Sequence, residues 1–176
     1  PEAFSHRTST HVHVNMGNLN EKQAKELILV YALLEPLFFD FVGDQRKNSI
    51  YCVPLSFTYL PCIYKFNLNQ LWEKWHKYTA FNIKPVRDMG TFEFRHLFGT
   101  GDRKVLETWL TILEEIYTFI EKNPKFILLR HILDINKTIS LVREISPTLT
   151  QPYTTLELIN KLEDSILDVK LSMGSL

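Results

Sequence analysis

The stretch Thr10-His11-Val12-His13-Val14-Asn15-Met16 decides how this chain reads. Side chains on an extended strand alternate between its two faces. His11, His13 and Asn15 therefore share one face, and Val12, Val14 and Met16 the other. The valine face has the β-branched, apolar character of a strand that covers a core. The opposite face carries only groups that bind protons, metals or anions. Two histidines at this spacing are ordinary on the wet side of an antiparallel sheet. They also leave room between them for an ion or a phosphate oxygen.

A second strand of the same kind gives the first its context. In Thr91-Phe92-Glu93-Phe94-Arg95-His96-Leu97, alternation sets Thr91, Glu93, Arg95 and Leu97 against Phe92 and Phe94. His96 lies opposite Glu93 and is expected among the phenylalanines. Tyr78–Ile83 reads as a strand with Tyr78, Ala80 and Asn82 on one side, and turn residues 84–90 join it to the Thr91 strand as a hairpin. In one sheet, His11, His13, Asn15, Glu93, Arg95 and Asn82 can converge. A carboxylate and an imidazole can share a divalent cation, and an arginine beside them suits a phosphate or carboxylate oxygen. The bland alternative for Glu93 and Arg95 is a surface pair of little energetic weight.

The remaining segments are helical. Residues 21–42 place Ala24, Leu27, Ile28, Tyr31, Leu34, Phe38 and Phe41 on one apolar face, with Pro36 expected to kink the helix or end its first half. Residues 43–49 read as a polar loop in which Arg46 is a solvated side chain, and the aromatic-rich stretch 56–66 resists assignment. A short helix is expected over 69–77, where lysines and tryptophans form a signal too short for nucleic-acid binding. Asp102 is a good N-cap for a helix over 103–122. Further helices are expected over 126–133, 136–145 and 155–171, the last opened by a Thr154-x-x-Glu157 capping box. The pattern predicts an α+β fold, with a small antiparallel sheet, helices packed on its apolar face and a helical C-terminal region. Residues 1–122 read as the sheet-bearing unit and 123–176 as a helical extension packed on it.

Composition narrows the setting. The 176 residues are 45% hydrophobic and 23% charged, with formal net charge zero, so no overall field draws the chain to nucleic acid or an anionic membrane. Cys52 and Cys62 are too few for a disulfide scaffold and lack metal-type spacing, which points to a reducing, cytoplasmic setting. His6, His76 and His131 have no partner pattern. No apolar run reaches transmembrane length. The chain opens on Pro1 and reaches the His-x-His strand within ten residues, so either its start has been removed or part of the domain is expected to lie outside it.

These segments occur in an order that resembles one family. Thr10-His11-Val12-His13-Val14-Asn15, Arg46 followed by Tyr51-Cys52-Val53-Pro54, Tyr78-Thr79-Ala80-Phe81-Asn82-Ile83 and Gly90-Thr91-Phe92-Glu93-Phe94-Arg95 follow the amidoligases, members of the carboxylate–amine ligase superfamily. The resemblance covers roughly residues 9–121. It implies a glutamine-synthetase-like antiparallel sheet that binds ATP and Mg and joins a carboxylate to an amine through an acyl-phosphate. The implied substrates are a peptide or amino-acid carboxylate and an amine donor.

By that likeness His11 and Glu93 correspond to metal ligands and His13 to a contact of the nucleotide phosphates. Arg95 corresponds to the group that stabilises the transferring phosphoryl, Arg46 to a phosphate or substrate-carboxylate ligand, and Asn82 to a substrate-orienting residue. The family has an earlier Glu-x-Glu strand, whereas Glu2 is the sole acidic residue here before His11. The likeness therefore implies the C-terminal portion of the catalytic half, completed by a parent-chain segment or a protein partner. Two other readings stand beside it: a structural or assembly module, such as a virion component, and a His-x-His zinc or iron hydrolase that would need a third ligand close by.

Overall fold

Asn20 starts the longest element: its side chain accepts from the Gln23 amide while Gln23 reaches back to the Asn20 amide, a reciprocal cap. In the computed structural model, which describes residues 8–57, 63 and 65–172, the helix that follows, α1 (Glu21–Val42), lies at the centre of the molecule. Glu2 and His6 in the opening loop, and Pro61 and Cys62 in the aromatic-rich stretch, lie outside the described residues. Ahead of α1 comes β1 (Val12–Asn15). After it come α2 (Asp44–Lys47), a 3-10 turn (Leu55–Phe57), α3 (Leu68–Lys74), β2 (Phe81–Asn82), α4 (Val86–Met89) and β3 (Thr91–Phe94). The chain continues through α5 (Arg103–Lys122), a 3-10 turn (Leu128–Arg130), α6 (Ile135–Ile145), α7 (Pro147–Thr150) and α8 (Thr155–Ser172).

The fold is α+β, with helices on one face of a three-stranded antiparallel sheet ordered β1-β3-β2. The hairpin between β2 and β3 forms as expected, with a turn of helix, α4, in its connection. Phe81, Phe92 and Phe94 point down from the sheet onto α1. Tyr31 stacks on Phe81 with ring centres 4.4 Å apart, and Trp109 of α5 meets Phe38 edge-on at 5.4 Å.

Three features depart from the sequence reading. First, α1 is buried around its circumference, with the sheet on one side and α5 and α8 on others, instead of showing one apolar face. Its polar residues tolerate this because each closes a backbone group elsewhere. Gln23 donates to the Ile120 carbonyl, Glu26 accepts from the Leu128 amide, and Glu35 accepts from the amides of Leu55 and Ser56. The same all-round packing carries α1 through Pro36 without a break.

Second, the polar loop after α1 is a turn of helix, α2, and its Arg46 is 2% exposed instead of solvated. Gly43, at φ +84°, makes the reversal that admits it. Third, the alternation fails at Leu97, which is buried with His96 rather than sharing the Glu93 face. The register shows why. Val12 pairs with Phe94 but Ser9 with Phe98, so Arg95, His96 and Leu97 face Thr10 and His11 alone. The extra residue is a β-bulge.

Smaller departures follow from local competition. The strand expected over 78–83 shrinks to β2; ahead of it Ala80 still accepts from the Arg95 amide, while residues 78–80 bond to Val53 on their outer side. The helix expected over 126–133 is a single 3-10 turn. Caps at Asp102 and at Thr154 with Glu157 form as read.

Candidate active face

β3 is the middle strand, and this places Glu93 at the centre of the exposed sheet surface. Its direct neighbours across the two ladders are His13 on β1 and Asn82 on β2. A polar row, His13–Glu93–Asn82, therefore crosses the sheet, with His11 and Arg95 adjoining it one pleat along.

Glu93 binds every one of these neighbours. Oε1 accepts from His11 Nδ1 at 2.7 Å and lies 3.7 Å from His13 Nε2. Oε2 accepts from Asn82 Nδ2 and Arg95 Nε, each at 2.8 Å, and Arg95 Nη2 lies at ion-pair distance, 2.8 Å from it. The Glu93 side chain is 5% exposed, against 41% for His11 and 33% for His13. Burial pushes its carboxyl up. The hydrogen bonds from His11, Arg95 and Asn82, together with the Arg95 charge, outweigh that and hold it down at about 2. Glu93 is thus ionised across the physiological range.

The neighbours are themselves oriented. Asn82 Oδ1 accepts the Lys84 amide at 3.0 Å, which turns its NH₂ toward Glu93. Arg95 Nη1 donates to the Lys77 carbonyl at 2.6 Å. His13 Nδ1 meets Thr91 Oγ1 at 2.9 Å. His11 Nε2 lies 2.9 Å from Ser9 Oγ, so Ser9, His11 and Glu93 form a continuous chain of hydrogen bonds.

His11, His13, Asn82, Glu93 and Arg95 are brought together; Asn15 and Arg46 are not. Asn15 uses its Oδ1 on the Gly17 amide at the strand end. Arg46 lies among buried groups, with Nε donating to the His96 carbonyl at 2.8 Å and Nη2 to the Arg95 carbonyl at 2.6 Å. Thr91 stands on the Glu93 face as alternation set it, and Ser9 joins the face unforeseen. Ser9 stands two residues before His11, and that period was the available signal.

Behind the sheet lies a second polar group. Tyr31 donates to Glu35 Oε1 at 2.6 Å, which leaves its oxygen to accept from His96 Nε2 at 2.9 Å. His96 Nδ1 has no partner among the described residues and sits among aromatic rings. Burial, helped by the Arg46 charge, pushes the His96 imidazole down to about 3, so it stays neutral.

For a divalent cation the face offers one anionic oxygen, Glu93 Oε1. Among the described residues no three His, Cys, Asp or Glu side chains gather to hold a metal. The residues present do not make a magnesium site on their own, since magnesium favours an octahedron of oxygens. β1 is an edge of the sheet among the described strands. Beside it Val12, Val14, Leu110, Leu113 and Tyr117, with His13, Asn15 and Glu114 among them, line a groove of about 380 Å³. No helix among the described residues is long and apolar enough to cross a membrane.

A family model described as "Putative amidoligase enzyme" matches residues 2–117, a span that holds the whole sheet and this face. No curated protein and no solved structure matches the chain.

Proposed function

The chain belongs to the amidoligase family, and we propose that it joins a carboxylate to an amine with ATP as the driving substrate, on the face centred on Glu93. The observation that carries this reading is one buried, ionised carboxylate that holds a guanidinium and an imidazole in fixed positions above a rigid sheet. Phosphoryl transfer to a carboxylate is chiefly a task of positioning and charge neutralisation. Arg95 has N–H groups beyond those it gives Glu93 and Lys77, and these suit the transferring phosphoryl oxygens. His13 suits the nucleotide phosphates, and Asn82 orients the Glu93 carboxylate beside the substrate.

By the family likeness His11 and Glu93 would be the donors for a magnesium ion, which would require their mutual contact to open. With one carboxylate on the face, that ion needs further oxygens from the nucleotide and from an acidic segment beyond this sheet. The open β1 edge suits such a segment, supplied by a longer parent chain or by a partner polypeptide. A peptide or amino-acid carboxylate and an amine donor are the substrates, and the cytoplasm supplies the ATP.

The test is ADP formation by the full chain with ATP, magnesium and a panel of amino acids, peptides and amines. The expected result is turnover that needs both a carboxylate and an amine and is lost in Glu93→Gln. No magnesium-dependent turnover with any pair, or wild-type rates in Glu93→Gln, refutes the reading.

One observation favours a second reading. The Ser9–His11–Glu93 chain has the connectivity of a nucleophile, its general base and the carboxylate that orients the base. It suits acyl transfer through Ser9, and a His11 bound to metal could not serve it. Hydrolysis of activated esters without ATP, abolished in Ser9→Ala, would establish this reading. Its absence removes it.

A further inference from the structure

The β3 bulge leaves a structural problem that Arg46 solves. A bulge takes a residue out of the ladder and strands backbone groups that the neighbouring strand no longer meets. Here the Arg95 amide still pairs with the Ala80 carbonyl at 2.8 Å, and the Leu97 carbonyl with the Thr10 amide at 2.8 Å. The two successive carbonyls between them, those of Arg95 and His96, instead accept from one guanidinium. Arg46 Nη2 reaches the first at 2.6 Å and Nε the second at 2.8 Å. The planar fork of arginine can meet two adjacent acceptors at fixed spacing, whereas a lysine ammonium is a single point.

We propose that Arg46 is the clamp of the β3 bulge and the positioning residue for Arg95, rather than a ligand of phosphate or substrate. The bulge sends consecutive side chains in different directions. The Arg95 side chain emerges on the open face to hold Glu93, while His96 and Leu97 both enter the core. Burial of Arg46 at 2% exposure places its fork beneath the sheet, where it grips the backbone of the residue whose side chain works above. The link to catalysis rests on the ligase reading; the link to Arg95 geometry does not.

Arginine Nε–H resonances of the ¹⁵N-labelled full chain separate the two. Wild-type Arg95 Nε–H, bonded to Glu93 Oε2, is expected to exchange slowly with solvent. In Arg46→Lys and Arg46→Met its exchange should rise at least tenfold while core amides such as those of Leu34 and Phe38 keep their protection. Where the protein turns over ATP, kcat in Arg46→Lys should fall about 100-fold, the scale of an ångström misplacement of a working group, with KM for ATP unchanged.

Wild-type protection of Arg95 Nε–H in both variants overturns the proposal. So does an equal loss of protection through the core, which would mark Arg46 as a general stabiliser. A raised KM for ATP with Arg95 undisturbed overturns it in favour of a direct ligand. No turnover in the wild type refutes the ligase reading alone, and the exchange result still decides the role of Arg46.

Discussion

Glu93 makes the acid limb of the stability curve a test of the site's geometry. Its carboxyl is held at about 2 against an ordinary 4.5, because the bonds from His11, Arg95 and Asn82 outweigh the cost of burial. A group whose pKa is lower in the folded state stabilises that state above its unfolded value and loses the contribution as pH falls through the folded one. At 1.36 kcal/mol per pH unit, the interval from 4.5 to about 2 corresponds to on the order of 3 kcal/mol. His11, the first of the partners that hold it down, is 41% exposed, so solvent screening makes this the ceiling of the contribution. That contribution is whole above pH 4.5 and gone near pH 2.

Glu93→Gln keeps the shape and removes the charge. At pH 7 it should cost at most about 3 kcal/mol, which sets a ceiling of roughly 6–12 °C on the fall in Tm for a chain of this size. The assay is urea unfolding followed by tryptophan fluorescence at pH 7, 5, 3.5 and 2.5. The gap between wild type and variant should hold from pH 7 to 5 and close progressively below that. A gap of constant size down to pH 2.5 would show that the cost comes from packing and not from the carboxylate's partners.

Other consequences follow from the same contacts. His96, held neutral with a folded pKa of about 3 against 6.5, should destabilise the fold as pH drops below 6.5, and the loss should continue down to about 3. Its ring resonances should keep their neutral positions at pH 5, and a titration midpoint near 6.5 would contradict the burial. Phe38→Ala should cost about 3–5 kcal/mol in denaturant unfolding, because the ring is fully buried against Phe94, His96 and Trp109. Asp102→Ala should cost about 1 kcal/mol by removing the cap on the Lys104 and Val105 amides, with no effect on the Glu93 face.

What the sequence made legible follows physical range. Alternation in β1 and β3 is a local property, and it correctly set His11 and His13 with Glu93 and Arg95. Helix starts at Asp102 and Thr154 depend on neighbours two or three residues away and were equally readable. The bulge at Arg95–Leu97 was not, because period two carries no mark of where a ladder gains a residue. Arg46 shared that blindness. A charged side chain between glycine and asparagine reads as solvated, and its reason for burial is a pair of carbonyls on β3, far along the chain.

The polar residues of α1 show the same limit from the other side. Gln23, Glu26 and Glu35 break its apolar pattern as a wet face would, yet each caps backbone from a distant segment. Within the site, Ser9 was hidden by its place in a loop-like lead. Asn15 was drawn away from the row by the Gly17 amide at the end of its own strand.

Oxygen transfer decides whether the Glu93 face activates a carboxylate by phosphorylation before an amine displaces the phosphate. In that sequence a carboxylate oxygen attacks the γ-phosphorus, ADP leaves, and the amine then breaks the acyl–oxygen bond. The phosphate departs carrying the original carboxylate oxygen. With ¹⁸O-labelled carboxylate substrates, ATP, magnesium and an amine, each phosphate released should carry one ¹⁸O, and Glu93→Gln should release none. Phosphate released without the label contradicts acyl-phosphate formation.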